Sequence, residues 1–351
     1  MNGRVWGILT DGYLTERNAK TAHGVLRYSQ DDVAAVIDAN HAGRSTLEVV
    51  PEVVRDVPVV KTWDEARDMG ASSLLLGVAT PGGWMPEHWR AWILDALRDG
   101  CEVVNGLHSF LSDDPEFLAA AKESGARLWD VRRPPDDIPL FSGKSLEVPQ
   151  RIALTVGSDC AVGKKSTALE VTEAARAAGA NAEFLATGQT GVMIAGKGIA
   201  IDRVISDFAA GAAEQLILSA EPGSEVLIVE GQGSLWHPAY AGVTLSLLHG
   251  SAPHALIMCH QVGRSAIEEP PYTELPGLTE MIEGYERMAS TVRPARVACV
   301  SLNRHGLNEG EARRSVLAVE EETGLPAGDV FAGDAPKLWS ALDEALSAAV
   351  Q

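Results

Sequence analysis

The chain has few cysteines, no long apolar run and no concentration of basic charge. Its four cysteines, Cys101, Cys160, Cys259 and Cys299, are far apart in 351 residues. No C-x-x-C pair is present, so neither a structural zinc site nor a disulfide framework is indicated. No apolar run reaches the roughly 18 residues a membrane span needs. The first residues, "MNGRVWGILTDGYL", lack the basic start and apolar stretch of a signal peptide, so a cytoplasmic location is expected. Lys and Arg total 29 against 48 Asp and Glu, a net charge of -19, and no basic stripe appears, so nucleic acid is not an expected partner. There is also no G-x-G-x-x-G, so NAD is not expected.

What is present is an alternation of short apolar runs with amphipathic stretches. In the first part the runs are "VWGILT", "VAAVID", "SLLLGVA" and "CEVVNGL". Between the last two, Trp89, Trp92, Ile93, Ala96 and Leu97 share one helical face. Strand, helix, strand in this rhythm predicts a parallel sheet with right-handed crossovers. The proline- and charge-rich stretch 132–149 reads as a linker. A second series follows: "RIALTV", "AEFLAT", "EVLIVEG", "HALIMCH" and "ARVACVSLN". The expected fold is therefore α/β: a Rossmann-like domain over 1–140, then a P-loop NTPase-like domain over 141–351 with a mostly parallel sheet.

"GSDCAVGKKST", residues 157–167, lies between a buried-strand pattern and a helix. That context lets backbone N–H groups and a helix dipole converge on an anion. Against G-x-x-x-x-G-K-[ST], Ser158 stands at the first glycine and Gly157 lies one residue earlier. The predicted ligand-binding residues are Ser158, Asp159, Cys160, Ala161, Val162, Gly163, Lys164, Lys165 and Ser166. The departure is Lys165, where a hydroxyl normally ligates Mg²⁺. Ser166 or Thr167 could substitute only with a backbone shift. Two adjacent lysines suit a polyanion held without metal, such as coenzyme A.

Glu230 ends the strand "EVLIVEG" and points to the crevice where α/β proteins bind ligands. It reads as a proton acceptor, a metal ligand in a metal-dependent enzyme, or a helix cap. His237 follows in a loop and Asp159 lies in the phosphate loop; both are runner-up bases, and a lone histidine is as readily structural. Asn303 either reads adenine or forms a turn. The glycine-rich stretch 186–208 reads as a strand-end loop near ligand, followed by a helix carrying Asp202 and Asp207. In the first domain Lys20, Arg27 and His108 are the candidate substrate-binding residues: Lys20 and Arg27 could hold a substrate carboxylate or be surface charges, and His108 follows a strand.

Together "GSDCAVGKKSTALEV", "TGQTGVMI", "DFAAGAAE", "VEGQGSLWHPAYAGVTLSLLHG" and "RPARVACVSLN" resemble the DgcN-like D-glutamate N-acetyltransferases, whose P-loop is of dethiobiotin-synthetase type. "AKTAHGVLRYS", "AVIDANHAGR" and "GLHSFLSDDPE" extend the resemblance over nearly the whole chain. It implies acetyl transfer from acetyl-CoA to the amine of D-glutamate or another D-amino acid. Small molecules are the expected partners, with no metal, nucleic acid or membrane, in a homo-oligomer. An ATP-dependent ligase or kinase of dethiobiotin-synthetase type is the alternative, and Lys165 is the feature against it.

Overall fold

The computed structural model describes residues 3–268 and 272–349. The chain divides into two compact units: Met1–Pro134 with Gln189–Ala200, and Pro135–Gly188 with Ile201–Gln351.

The first unit is built on six parallel strands: β1 (Val5–Leu9), β2 (Asp32–Ile37), β3 (Val59–Val60), β4 (Ser73–Leu76), β5 (Glu102–Asn105) and β6 (Leu128–Asp130). Their order, β3-β2-β1-β4-β5-β6, is that of a Rossmann sheet, with its switch point between β1 and β4. The strands are mostly apolar, with polar residues such as Asp32, Glu102, Asn105 and Asp130 at their ends, as expected of a parallel sheet covered by helices. The helix Trp89–Arg98 buries Trp89, Ile93, Ala96 and Leu97, with Trp92 packed against the same core, on the face its spacing predicts.

At the carboxyl edge of this sheet one acid is internally satisfied. Asp38 follows β2 and is fully buried. One of its oxygens accepts from Thr10 Oγ1 (2.8 Å), Gly12 N (3.0 Å) and Leu14 N (3.1 Å). The other accepts from Asn40 N (3.1 Å) and His41 Nδ1 (2.9 Å). An acid after β2 reads the cofactor ribose in dinucleotide-binding Rossmann domains. Here that acid ties together the loops after β1 and β2.

The second unit has its own six parallel strands: β7 (Arg151–Gly157), β8 (Ala182–Leu185), β9 (Val226–Val229), β10 (Ala255–Gln261), β11 (Arg296–Asn303) and β12 (Ala327–Gly328), in the order β12-β11-β10-β7-β9-β8. β7 lies between β9 and β10, where the chain reverses its direction of travel across the sheet. Such a switch point opens a crevice at the carboxyl ends of the strands. The linker predicted over 132–149 is tied to this unit: Ser142 N, Ser142 Oγ and Ser145 N all donate to the Glu214 carboxylate.

Two expectations need correction. The glycine-rich stretch contains a helix, Gln189–Ala195, and this helix belongs to the first unit. "QTGVMIA" carries little helix propensity, and tertiary packing against the helix Lys20–Tyr28 overrides it. Thr21 and Thr190 share a buried hydroxyl–hydroxyl hydrogen bond of 3.0 Å across that contact. Asp202 and Asp207 do not share one helix: Asp202 lies in the 3₁₀ turn Ile201–Arg203, and Asp207 in the first turn of Ser206–Leu218.

Candidate active site

The loop after β7 is bent by two residues in the left-handed region, Ala161 (φ 54°) and Gly163 (φ 112°). A non-glycine residue there costs free energy, and such strain gathers at ligand-binding loops. Alternating conformations of this kind turn successive N–H groups to one side, and the helix Lys164–Ala177 begins directly after them.

Several predicted loop residues face inward. Ser158 is buried: its N–H donates to the Cys259 carbonyl (3.0 Å), its hydroxyl lies 3.0 Å from His260 Nδ1, and its carbonyl accepts from Ser234 Oγ (2.9 Å). Val162 is part of the core. Asp159 is 1% exposed, and its carboxylate accepts from Arg264 Nη1 (2.6 Å), Glu268 N (3.0 Å) and Cys160 N (2.6 Å). Tyr285, from the helix Leu278–Ala289, donates to the Gly157 carbonyl (2.7 Å) and accepts from Leu235 N (3.2 Å). What the loop turns outward is the exposed Ala161 and the half-buried Gly163, Lys165 and Ser166.

Lys164 is 6% exposed and donates to the Asp159 carbonyl (2.6 Å). Burial pushes its pKa down, opposed by Cys160, Cys259, Asp159 and Glu230. Thr167 cannot replace the missing hydroxyl, because its Oγ1 is buried in a 2.7 Å hydrogen bond with Ser301 Oγ.

Glu230 follows β9 and is 3% exposed. Its carboxylate accepts from Thr187 N (3.0 Å) and Gly188 N (3.1 Å), at the end of β8. Burial raises its pKa to about 7; the Lys165 ammonium and the two N–H groups work against that rise. Lys165 therefore places its positive charge within electrostatic range of this acid. Gly231 is required by close approach, since a Cβ there would lie 1.7 Å from the Thr155 carbonyl oxygen. Gln232 Nε2 donates to Thr187 Oγ1 (3.3 Å).

His237 is buried, and its Nδ1 accepts from Ala239 N (3.2 Å). Asp159, Cys160 and His237 each offer a ligand atom within 4.8 Å of the others. Asn303 Oδ1 accepts from His305 N (3.0 Å), a turn contact.

In the first unit, Lys20 is exposed at the start of its helix, and His108 is exposed after β5, its N–H bonded to the Gly83 carbonyl (2.9 Å). Arg27 lies seven residues along from Lys20, roughly 10 Å at helical rise. It donates to the Glu52 carbonyl (3.1 Å). Lys20 stands at the first position of this helix and Arg27 in its last turn.

The sequence reading missed Arg264, His260 and Tyr285, which fix the loop. Arg264 and His260 lie at the carboxyl end of β10, so sheet-edge position was an available signal. Tyr285 sits mid-helix, and no local pattern marks it.

Residues 139–339 match the model of a domain of unknown function, the DUF1611_C P-loop domain, and residues 39–134 match the DUF1611_N Rossmann-like domain. The chain belongs to the DUF1611 family. A crystal structure of a DUF1611 family protein from Anabaena variabilis superposes with a TM-score of 0.92 at 39% identity, covering 98% of this chain and 100% of that one. A protein of Tritonibacter scottomollicae named D-glutamate N-acetyltransferase is 38% identical over 80% of this chain and 84% of its own length. A second of that name, from a Pseudoalteromonas species, is 36% identical over 76% and 79%. Two parallel α/β units, Rossmann-like then P-loop-like, are thus both the family's pattern and the fold of this DUF1611 chain.

Proposed function

We propose that this chain is an N-acetyltransferase that moves an acetyl group from acetyl-CoA to the amine of D-glutamate or a related D-amino acid. The observation that carries the reading is its identity of 36–38% with two proteins of that name over most of their length. The phosphate loop supplies the anion site, and we assign it to the phosphates of CoA. Lys164 and the amides near Ala161 and Gly163 are the groups of this chain that meet them.

We assign no metal to the loop. In metal-dependent P-loop enzymes a hydroxyl after the loop lysine and an acid at a strand end hold Mg²⁺. Here Lys165 occupies the first position and places an ammonium near the second group, Glu230. That monocation supplies part of the charge compensation a divalent ion would supply, and the lysine side chain itself offers no ligand oxygen. The same substitution disfavours the ATP-dependent alternative.

Amine attack on a thioester needs a proton acceptor, because an amino acid amine is mostly protonated near neutral pH. We assign that role to Glu230, whose pKa of about 7 suits a base working near neutrality. Asp159, sequestered by Arg264, is better assigned to anchoring the loop. Lys20, Arg27 and His108 remain proposals for binding the amino acid substrate. The acidic surface and absence of paired cysteine spacings support a cytoplasmic enzyme acting on small molecules, and we extend the proposal to a homo-oligomer. No helix among the described residues is long and apolar enough to cross a membrane.

The test is calorimetric titration of CoA in EDTA, together with CoA release from acetyl-CoA with D- or L-glutamate. Metal-free binding and turnover of a D-amino acid are expected. Lys164→Ala should weaken CoA binding by roughly 1.5–3 kcal/mol, the worth of a charge-assisted hydrogen bond. Strict dependence of binding on Mg²⁺ would overturn the metal-free assignment.

A further inference from the structure

His237 has one ring nitrogen occupied and one not. Nδ1 accepts a hydrogen bond from the Ala239 backbone N–H (3.2 Å). Nε2 is buried and has no hydrogen-bond partner among the described residues. A buried polar atom left in that state costs free energy, and native proteins rarely keep one without a use.

The first contact determines the chemistry of the second nitrogen. A backbone N–H can only donate, so Nδ1 presents its lone pair and the ring proton sits on Nε2. Nε2 is then a donor. It cannot take a proton from a substrate, because it already carries one. It cannot ligate a metal either, unless the ring becomes an imidazolate. The cluster of Asp159, Cys160 and His237 has the residue types of a metal site. Yet Asp159 is already paired with Arg264 (2.6 Å), and the Lys164 ammonium bonds the Asp159 carbonyl (2.6 Å). Two cations already border the cluster, and a third would be repelled.

We infer that His237 is a neutral N–H donor held ready for an acceptor oxygen of the ligand that lies over Asp159 and Cys160 in the phosphate loop. The acceptor class is a phosphate or pyrophosphate oxygen. This rests on the reading of the loop as an anion site. It adds a neutral contact to the ammonium of Lys164, and it removes His237 from the candidate bases and metal ligands. The ring is held in place: Tyr240 packs against it at 4.4 Å between centroids, and the turn Ser234–His237 is closed by a backbone hydrogen bond of 3.1 Å.

The test uses the full chain with ¹⁵N-labelled histidine and a His237→Gln reference spectrum to assign the ring. The Nε2–H tautomer is expected, with its proton moving downfield when CoA or inorganic pyrophosphate is added. Titrations of both probes should weaken about tenfold or more in His237→Ala, while His237→Gln, which keeps an N–H donor, should lie near wild type. The Nδ1–H tautomer would overturn the inference. So would stoichiometric Zn²⁺ binding that His237→Ala abolishes, or unchanged probe affinity in His237→Ala. Failure of the wild-type protein to bind either probe would instead overturn the anion-site reading beneath it. If His237→Ala does not fold, the tautomer and the His237→Gln titration still decide.

Discussion

The carboxyl edges of the two sheets make an instructive pair. Both sheets are six-stranded and parallel with a switch point, and both place a buried acid beyond a strand: Asp38 after β2 and Glu230 after β9. Asp38 accepts five hydrogen bonds, from backbone, hydroxyl and imidazole donors. Glu230 accepts two N–H groups, burial raises its pKa to about 7, and the lysine within range follows the phosphate loop. An acid whose oxygens are saturated holds loops together. An acid buried with fewer donors can change its protonation state during a reaction. On the proposed reading, the same architecture serves structure at one edge and chemistry at the other.

The largest effect that could break this comparison is on turnover. Glu230→Gln should lower kcat by about 10²–10⁴, the usual contribution of a general base, with CoA affinity near that of the parent. In the parent, the rate should rise with pH through about 7 and level off above it, as the base ionises. Stability should move the opposite way. The folded-state pKa of Glu230 lies above its unfolded value, so its contribution is fully present below about 4.5 and is lost as pH rises through about 7. A shift from 4.5 to about 7 corresponds to on the order of 3 kcal/mol. Glu230→Gln should therefore melt higher than the parent at pH 8, and equal melting temperatures there would remove the argument from burial.

Asp38→Asn should give the mirror image. An amide has one acceptor oxygen where the carboxylate has two, so some of the five donors, of which those of Thr10 and Leu14 are buried, lose their partner. A loss of roughly 2–4 kcal/mol is expected, given about 1–3 kcal/mol per unsatisfied buried group, and urea unfolding measures it. CoA affinity of the folded protein should not change. A variant that unfolds at the parent's urea midpoint, or that binds CoA more weakly, would show the two edges to be less distinct than their geometry implies.

What was legible beforehand follows a physical divide. The long strands announce themselves as apolar runs, because a parallel sheet covered on both faces must be apolar. β3, β6 and β12 did not, since each has only two or three residues: Val59–Val60, Leu128–Asp130 and Ala327–Gly328. The phosphate loop was legible because its function requires glycine and lysine at fixed spacing. Its supports were not: Tyr285 reaches Gly157 across 128 residues, and the Arg264–Asp159 pair across 105. No local pattern encodes such pairs. The helix Gln189–Ala195 failed for a related reason, since its stability comes from packing on a helix of the first unit rather than from its own residues.

The finest test concerns Lys165, which links the phosphate loop to the acid. Lys165→Ser restores the hydroxyl of metal-dependent loops and removes one positive charge. That charge holds down the pKa of Glu230, against burial. Without it, the ionised carboxylate loses a stabilising neighbour, so the pKa must rise further and the rate profile must move to higher pH. Binding of CoA in EDTA should weaken by a few fold, because one ammonium leaves the anion site, and added Mg²⁺ should recover part of the loss. The pH shift is the sharper readout, since a lysine serving only to hold phosphate would change affinity and leave the profile in place. A profile that stays fixed or moves to lower pH would separate Lys165 from Glu230 and return the metal question to the open loop.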